Sequence, residues 1–432
     1  MTEVSRMAER FGVGFVGAGF VVDVFHSRTW VGVREADITA VMSPTGTRAE
    51  NVAETCRRTG VGEPAVYRDV AELVRDPRVD AVWVAVPNDV RVAVVETICE
   101  EVRSGRAELK AIAIEKPLAR TVAEARRIVD VVEDVGLLHG YLENQVFAPA
   151  LSKVRELAWA RGAALSGPPY LARAAEEHSG PHEAWFWSGE RQGGGVLNDM
   201  LCHSVEAARH LLTSPGTRKA EWLIPKSITA SIASLKWTRP AYAAELAQRY
   251  EGIDYGRSPA EDYARATVVF ENSEGQQVVA EATTSWSYVG AGLRLSFELL
   301  GPEYAAAVNT LDTEARIFLS RRVVGESGED LVEKQNAEQG LMPVLADEAF
   351  SYGYLHEDRH MVEAFRAGRQ PEEDLRDGLA VTELLMAAYL SAEEGQTVTF
   401  PVANLEEFVP AVARGAWDPR ALPAGVGDAR PT

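Results

Sequence analysis

Cysteine is scarce. Cys56, Cys99 and Cys202 are the only three, they stand far apart, and no two share a CxxC spacing. That excludes a disulfide framework and points to a reducing compartment. Long apolar runs are absent too. None approaches the ~20 residues of a membrane-spanning helix, so no membrane partner is expected. Positive charge is in short supply. Lys and Arg total 44 against 64 Asp and Glu, a net charge of −20. Nucleic acid needs clustered basic side chains, so it is not expected as a partner. The start, Met1-Thr2-Glu3-Val4-Ser5-Arg6, lacks the basic-then-apolar order of a secretory leader. Cytoplasm is the expected location.

What is present is an ordinary globular composition, 46% hydrophobic and 25% charged. At 432 residues it is too long for one typical domain. The first part alternates strand and helix patterns. Apolar runs at 11–18, 38–42, 79–86 and 111–114 read as buried parallel strands, with another at about 138–143. Thr121 with Glu124 predicts a capping box at the start of a helix over 122–135. This grammar predicts a parallel sheet with helices on both faces. After about residue 150 long β-rich stretches take over, at 227–237, 265–272, 277–287 and 292–300. Arg265 and Thr267 point one way and Ala266, Val268 and Phe270 the other, which suits an antiparallel sheet with one covered face. Residues 239–262 read as a polar insertion. The expected domains are 1–145, 146–405 and an irregular tail over 406–432.

Three segments carry chemistry. Gly17-Ala18-Gly19-Phe20-Val21-Val22 follows the first strand and opens a helix. The first glycine permits a tight turn, and the second lets backbone N–H groups approach a pyrophosphate. Val22 replaces the third glycine of the dinucleotide pattern. At the end of the second strand, where NAD enzymes place an acidic residue about twenty positions on, the chain reads Met42-Ser43-Pro44-Thr45-Gly46-Thr47-Arg48. Without a carboxylate there, Ser43 and Arg48 are candidates for a 2′-phosphate. NAD and NADP both remain open. An apolar run then ends in Glu115-Lys116-Pro117, placing a lysine at the carboxyl edge of the sheet, where such sheets bind ligands. Last comes Gly193-Gly194-Gly195-Val196-Leu197-Asn198-Asp199-Met200-Leu201-Cys202-His203. Asp199 and His203, four apart on a helix, share a face and form a candidate acid/base pair. A buried polar pair fixing the helix gives the same spacing.

In that order the motifs resemble the Gfo/Idh/MocA oxidoreductase family, which includes glucose–fructose oxidoreductase and inositol dehydrogenases. Pro87-Asn88 after the third strand and the late Asp377-Gly378-Leu379…Tyr389 helix add to the resemblance, which covers roughly 11–402. It implies an N-terminal Rossmann domain and a C-terminal α+β domain with a large, open, mostly antiparallel sheet. It implies catalysis by Lys116, Asp199 and His203, and a Lys116–Pro117 bond that is often cis. Contacts to NAD or NADP fall on Gly17, Gly19, Phe20, Val21, Ser43, Arg48, Pro87, Asn88, Glu115 and Lys116. The implied reaction moves a hydride between nicotinamide and a secondary alcohol or ketone of a sugar, cyclitol or related polyol. A homodimer or homotetramer through the C-terminal sheet is expected. Two other readings stand beside it: a cofactor-binding sensor or repressor without turnover, which would often lose the lysine or histidine that this chain keeps, and a glycoside-cleaving enzyme that uses the same Lys116 and His203 with retained NAD through transient oxidation.

Departures from the family pattern set further expectations. Arg91 stands where a histidine is common, and could reach a substrate. The family's Gly-Tyr-x-x-Arg becomes Gly140-Tyr141-Leu142-Glu143-Asn144. Glu143, His178, His182 and Trp185 are candidate substrate contacts. No metal is expected, the alternative being a site built from Glu177, His178, His182 and His203. His356-Glu357-Asp358-Arg359-His360 spells HExxH, but reads as a solvated helix face.

Overall fold

The computed structural model describes residues 10–421, except 291, 314, 320–339 and 345–346. Six apolar runs make the first sheet: β1 (Phe11–Val16), β2 (Ala36–Met42), β3 (Ala65–Tyr67), β4 (Ala81–Val84), β5 (Ala111–Glu115) and β6 (Leu138–Leu142). All pair in parallel, in the order β3-β2-β1-β4-β5-β6. β1, β4 and β5 are buried at every position, as a sheet covered on both faces requires. The order reverses between β1 and β4, which opens a crevice at their carboxyl ends.

The second sheet holds β7 (Leu171–Glu177), β8 (Leu223–Ala233), β9 (Tyr263–Asn272), β10 (Gln277–Ser285), β11 (Arg294–Gly301), β12 (Tyr304–Asn309) and β15 (Val398–Thr399). A separate two-stranded antiparallel sheet pairs β13 (Ala315–Leu319) with β14 (Gly340–Val344). The order is β12-β11-β7-β10-β9-β8-β15, antiparallel except for β7 beside β10. β9 alternates as its sequence predicts: Ala266, Val268 and Phe270 are buried and Arg265 is exposed. Helices Cys202–Leu212 and Leu375–Glu394 cover the buried face. On the other face Arg173 bridges Glu281 and Glu298 at 2.7 and 3.0 Å.

Three expectations need correction here. The domains do not divide cleanly at 145. Helix Tyr354–Arg366 returns to the first sheet, and Met361, Val362 and Phe365 share one core with Phe11, Phe15, Trp30 and Trp83. Gly140 lets that helix approach: a Cβ there would meet Met361 Sδ at 2.5 Å. The edge strand β6 is held by the same returning chain, since Tyr141 N–H donates to the Glu373 carbonyl and His139 Nδ1 accepts from Leu375 N–H. The HExxH letters are also not a solvated face. Glu357 and Asp358 are fully buried, and Arg359 donates to the Gly32 carbonyl at 2.7 Å. The 239–262 insertion contains a helix, Pro240–Arg249. Thr121 caps its helix, but the Glu124 carboxylate accepts the Arg120 N–H, so the capping box is only half formed. Among the described residues no helix is long and apolar enough to cross a membrane.

Candidate active site

β5 and β6 run side by side, with Glu115 opposite Leu142. The next residues, Lys116 and Glu143, therefore leave the sheet together at its carboxyl edge. The Lys116–Pro117 peptide is cis, as expected. Arg91 fixes this turn from behind. Its guanidinium donates to the carbonyls of Pro117, Leu118 (3.3 Å) and Val86 (2.8 Å). At 2% exposure it cannot reach a substrate, which corrects the sequence reading. Burial pulls its pKa down to about 10.

Lys116 Nζ donates to the Asp199 carbonyl at 3.0 Å and lies 3.4 Å from Asp199 Oδ1. Burial opposes its charge, but Asp199, with Glu176 and Glu115 nearby, outweighs burial and holds the ammonium above its ordinary pKa. Asp199 Oδ2 accepts from Trp286 Nε1 at 3.3 Å.

Asp199 lies in a π-helical turn, Leu197–Leu201, and regular α-helix resumes at Cys202. The glycines before it allow close packing. Gly194 has φ +153°, and a Cβ on it would meet Tyr389 Oη at 1.9 Å. Glu261 Oε1 accepts from Gly195 N–H, Leu197 N–H and the Tyr389 hydroxyl at 2.9, 3.1 and 2.6 Å. Burial raises this carboxyl to about 7.

His203 Nδ1 meets Glu143 Oε1 at 2.5 Å, while Nε2 stands 3.8 Å from Glu176 Oε2. Sequence spacing paired the imidazole with Asp199, but Glu143 orients it. Burial lowers the His203 pKa to about 4 and pushes the Glu143 carboxyl well up. Glu143 is fully buried behind the histidine, so it is not a substrate contact. It is the residue whose role the sequence did not reveal. The available signal was a charged residue following an apolar strand beside the one that ends in lysine.

The other expected contacts divide. His178 is 1% exposed, and its Nδ1 accepts from Gly180 N–H at 2.9 Å. Trp185 stacks on Phe186 with centroids 3.8 Å apart. His182 packs on Phe20 at 4.2 Å, at the glycine turn rather than beside Lys116. Glu177 pairs with Arg294 at 2.8 Å. The metal set of Glu177, His178, His182 and His203 is therefore not assembled.

At the cofactor end, Gly17 has φ +107°, and a Cβ there would strike the Ala85 carbonyl oxygen at 2.2 Å. A Cβ on Gly19 would meet nothing within 4 Å, so backbone faces open space at the start of the helical turns that run from Val21 to Gly32. A cavity of about 180 Å³ opens there, lined by Ala18, Gly19, Phe20, Asp23, Arg48, Asn51, His182 and Glu183. The open backbone and the adjoining cavity fit a dinucleotide. Val21 is half-buried, and Pro87 caps the helix Asn88–Arg103. Three expected cofactor contacts face elsewhere. Ser43 is buried, with Oγ 3.3 Å from Thr45 Oγ1. Asn88 spends its amide on the Gln192 carbonyl and Oε1, at 3.0 and 2.9 Å, tying the two sheets' elements together. Glu115 Oε1 meets His26 Nε2 at 3.1 Å, behind the turn.

That last contact belongs to a buried chain. His26 Nδ1 lies 3.0 Å from Asp358 Oδ1, which also accepts from Trp83 Nε1 at 3.0 Å. Burial opposes a charge on His26, but Asp358 and Glu115 outweigh it and raise its pKa well above the usual value. Removing one partner of such a buried pair costs about 3–5 kcal/mol. Asp358→Ala should lower stability by about that much, read as a shift in the urea unfolding midpoint.

Residues 11–141 match the oxidoreductase family with an NAD-binding Rossmann fold, and residues 174–400 match that family's C-terminal alpha/beta domain. The chain belongs to the Gfo/Idh/MocA oxidoreductase family. Among its relatives, 1,5-anhydro-D-fructose reductase of Ensifer adhaerens is 32% identical over 202 residues, 46% of this chain and 56% of that enzyme. D-apiose dehydrogenase of Paraburkholderia graminis is 24% identical over 434 residues, covering 95% of each. The crystal structure of GenD2 from gentamicin A biosynthesis in complex with NAD superposes with a TM-score of 0.71. It is 25% identical and covers 93% of this chain and 99% of that one. The family membership agrees with the Rossmann sheet, the C-terminal mixed sheet and an oxidoreductase that binds NAD or NADP.

Proposed function

We propose that this Gfo/Idh/MocA oxidoreductase is a dehydrogenase or reductase acting on a secondary alcohol or ketone of a sugar, cyclitol or related polyol. The observation that carries the reading is the meeting of Lys116, Asp199, His203 and Glu143 at the carboxyl edge of β5 and β6. The relatives' names, 1,5-anhydro-D-fructose reductase and D-apiose dehydrogenase, support the substrate class. A bound dinucleotide supplies or accepts the hydride. Its pyrophosphate would rest on the backbone of Gly19 and Phe20.

Lys116 donates a hydrogen bond to the reacting oxygen and stabilises negative charge as it develops there. His203 donates Nδ1–H to Glu143 and takes the hydroxyl proton at Nε2. Asp199, held by Trp286, sets the lysine's position. The same reading includes a cytoplasmic location and an oligomer assembled on the outer face of the second sheet.

The test is incubation with NAD+ or NADP+ and a panel of free sugars and cyclitols, following reduced nicotinamide by absorbance. Net reduction with at least one polyol is expected. Dinucleotide binding with no turnover on any of them would favour a sensor. Glycoside cleavage with no net reduced nicotinamide would favour transient oxidation.

A further inference from the structure

The sequence has no acidic residue at the end of β2, where one would read the adenosine ribose. The structure brings one in from the other domain. Glu183 lines the cavity at the glycine turn with Gly19, Phe20, Asp23, Arg48 and Asn51. Its Oε1 accepts from Arg48 Nη2 at 2.9 Å. The residue before it, His182, packs on Phe20 with ring centroids 4.2 Å apart, which seats this segment over the turn. Three elements thus converge: the start of the first helical segment, the start of helix Thr47–Thr59, and the 182–183 segment.

We infer that Glu183 is the residue that selects NAD over NADP, its carboxylate accepting the ribose hydroxyls in place of the acid missing after β2. This rests on the dinucleotide reading above. Two effects act together. A 2′-phosphate would stand beside a carboxylate and be repelled. Arg48, the arginine of the cavity lining, is paired with that carboxylate, so a phosphate would have to compete with Glu183 to reach it. Of the other groups at the end of β2, Ser43 is buried against Thr45, and the Arg68 guanidinium lies against Gly46, outside the cavity lining. An acid placed 135 positions from its arginine in the chain does in space what other Rossmann domains do within one loop.

The experiment is direct binding of NAD+ and NADP+ to the full chain by calorimetry, without substrate, for the wild type and for Glu183→Gln. Glu183 is partly exposed, with its side chain at 32%, so the variant should fold. The expected wild type binds NAD+ at least ~10-fold more tightly than NADP+, the scale of a few charge-assisted contacts. In Glu183→Gln that ratio should fall by about 10-fold or more as Arg48 is released to a phosphate. Equal or tighter NADP+ binding by the wild type overturns the inference and leaves the dinucleotide reading standing. So does an unchanged ratio in the variant. Failure of both dinucleotides to bind overturns that reading, and the inference with it.

Discussion

Lys116→Ala should reduce kcat by roughly 10²–10³, the effect of removing one oxyanion donor, or ~2.7–4 kcal/mol of transition-state stabilisation. The variant should fold and still bind dinucleotide. The side chain's hydrogen bonds go to Asp199, so its removal leaves the sheet and the cofactor cavity in place. The raised pKa means the ammonium stays a full donor throughout the neutral range. Steady-state kinetics and a binding titration on one preparation separate the two effects. Turnover within a few-fold of the wild type would remove Lys116 from the chemistry.

His203→Ala should cost roughly 10²–10⁴ in kcat, the span of a general base. The pH dependence gives the same role a sign. Burial holds the imidazole at a pKa of about 4, so at neutral pH it is unprotonated and competent as a base. Alcohol oxidation should therefore stay level as pH falls from 7 and decline only as it approaches about 4. An ordinary solvated histidine would lose activity near its usual pKa of about 6.5 instead. A profile of kcat/KM for alcohol oxidation, with folding checked at each pH, distinguishes them. An inflection near neutrality would show that the histidine is solvated, or that another group is the base. Stability moves the same way: a histidine depressed in the fold binds fewer protons than in the unfolded chain, so its penalty grows as pH drops below 6.5.

Legibility followed locality. Lys116, Asp199 and the glycine turn could be read because each sits within a few residues of the strand or helix that aims it. Parallel strands deliver their following residues to one edge, so order in the chain was enough. Glu143 was read as a substrate contact, and its place behind His203 escaped because that partner lies 60 positions away on a different element. Glu183 escaped for the same reason. β7 was hidden by its composition: Leu171–Glu177 buries only Ala172, Ala174 and Glu176, small or polar residues with little β signal, yet it sits inside the second sheet. β3 is three half-buried residues at an edge. The HExxH helix misled in the opposite direction. Charged letters suggested solvent, but Asp358 is buried because His26 and Trp83 satisfy its carboxylate.

The return of helix Tyr354–Arg366 to the first sheet sets a timetable for synthesis. Domains generally fold as they emerge, the amino-terminal one first. Here the six strands of the nucleotide-binding sheet leave the ribosome long before Met361, Val362 and Phe365, which complete the core around Trp83. Asp358 arrives late as well, so until then His26 and the Trp83 indole wait for their partner. The half of the protein made first is therefore among the last to be finished, and its completion depends on the second half having been made.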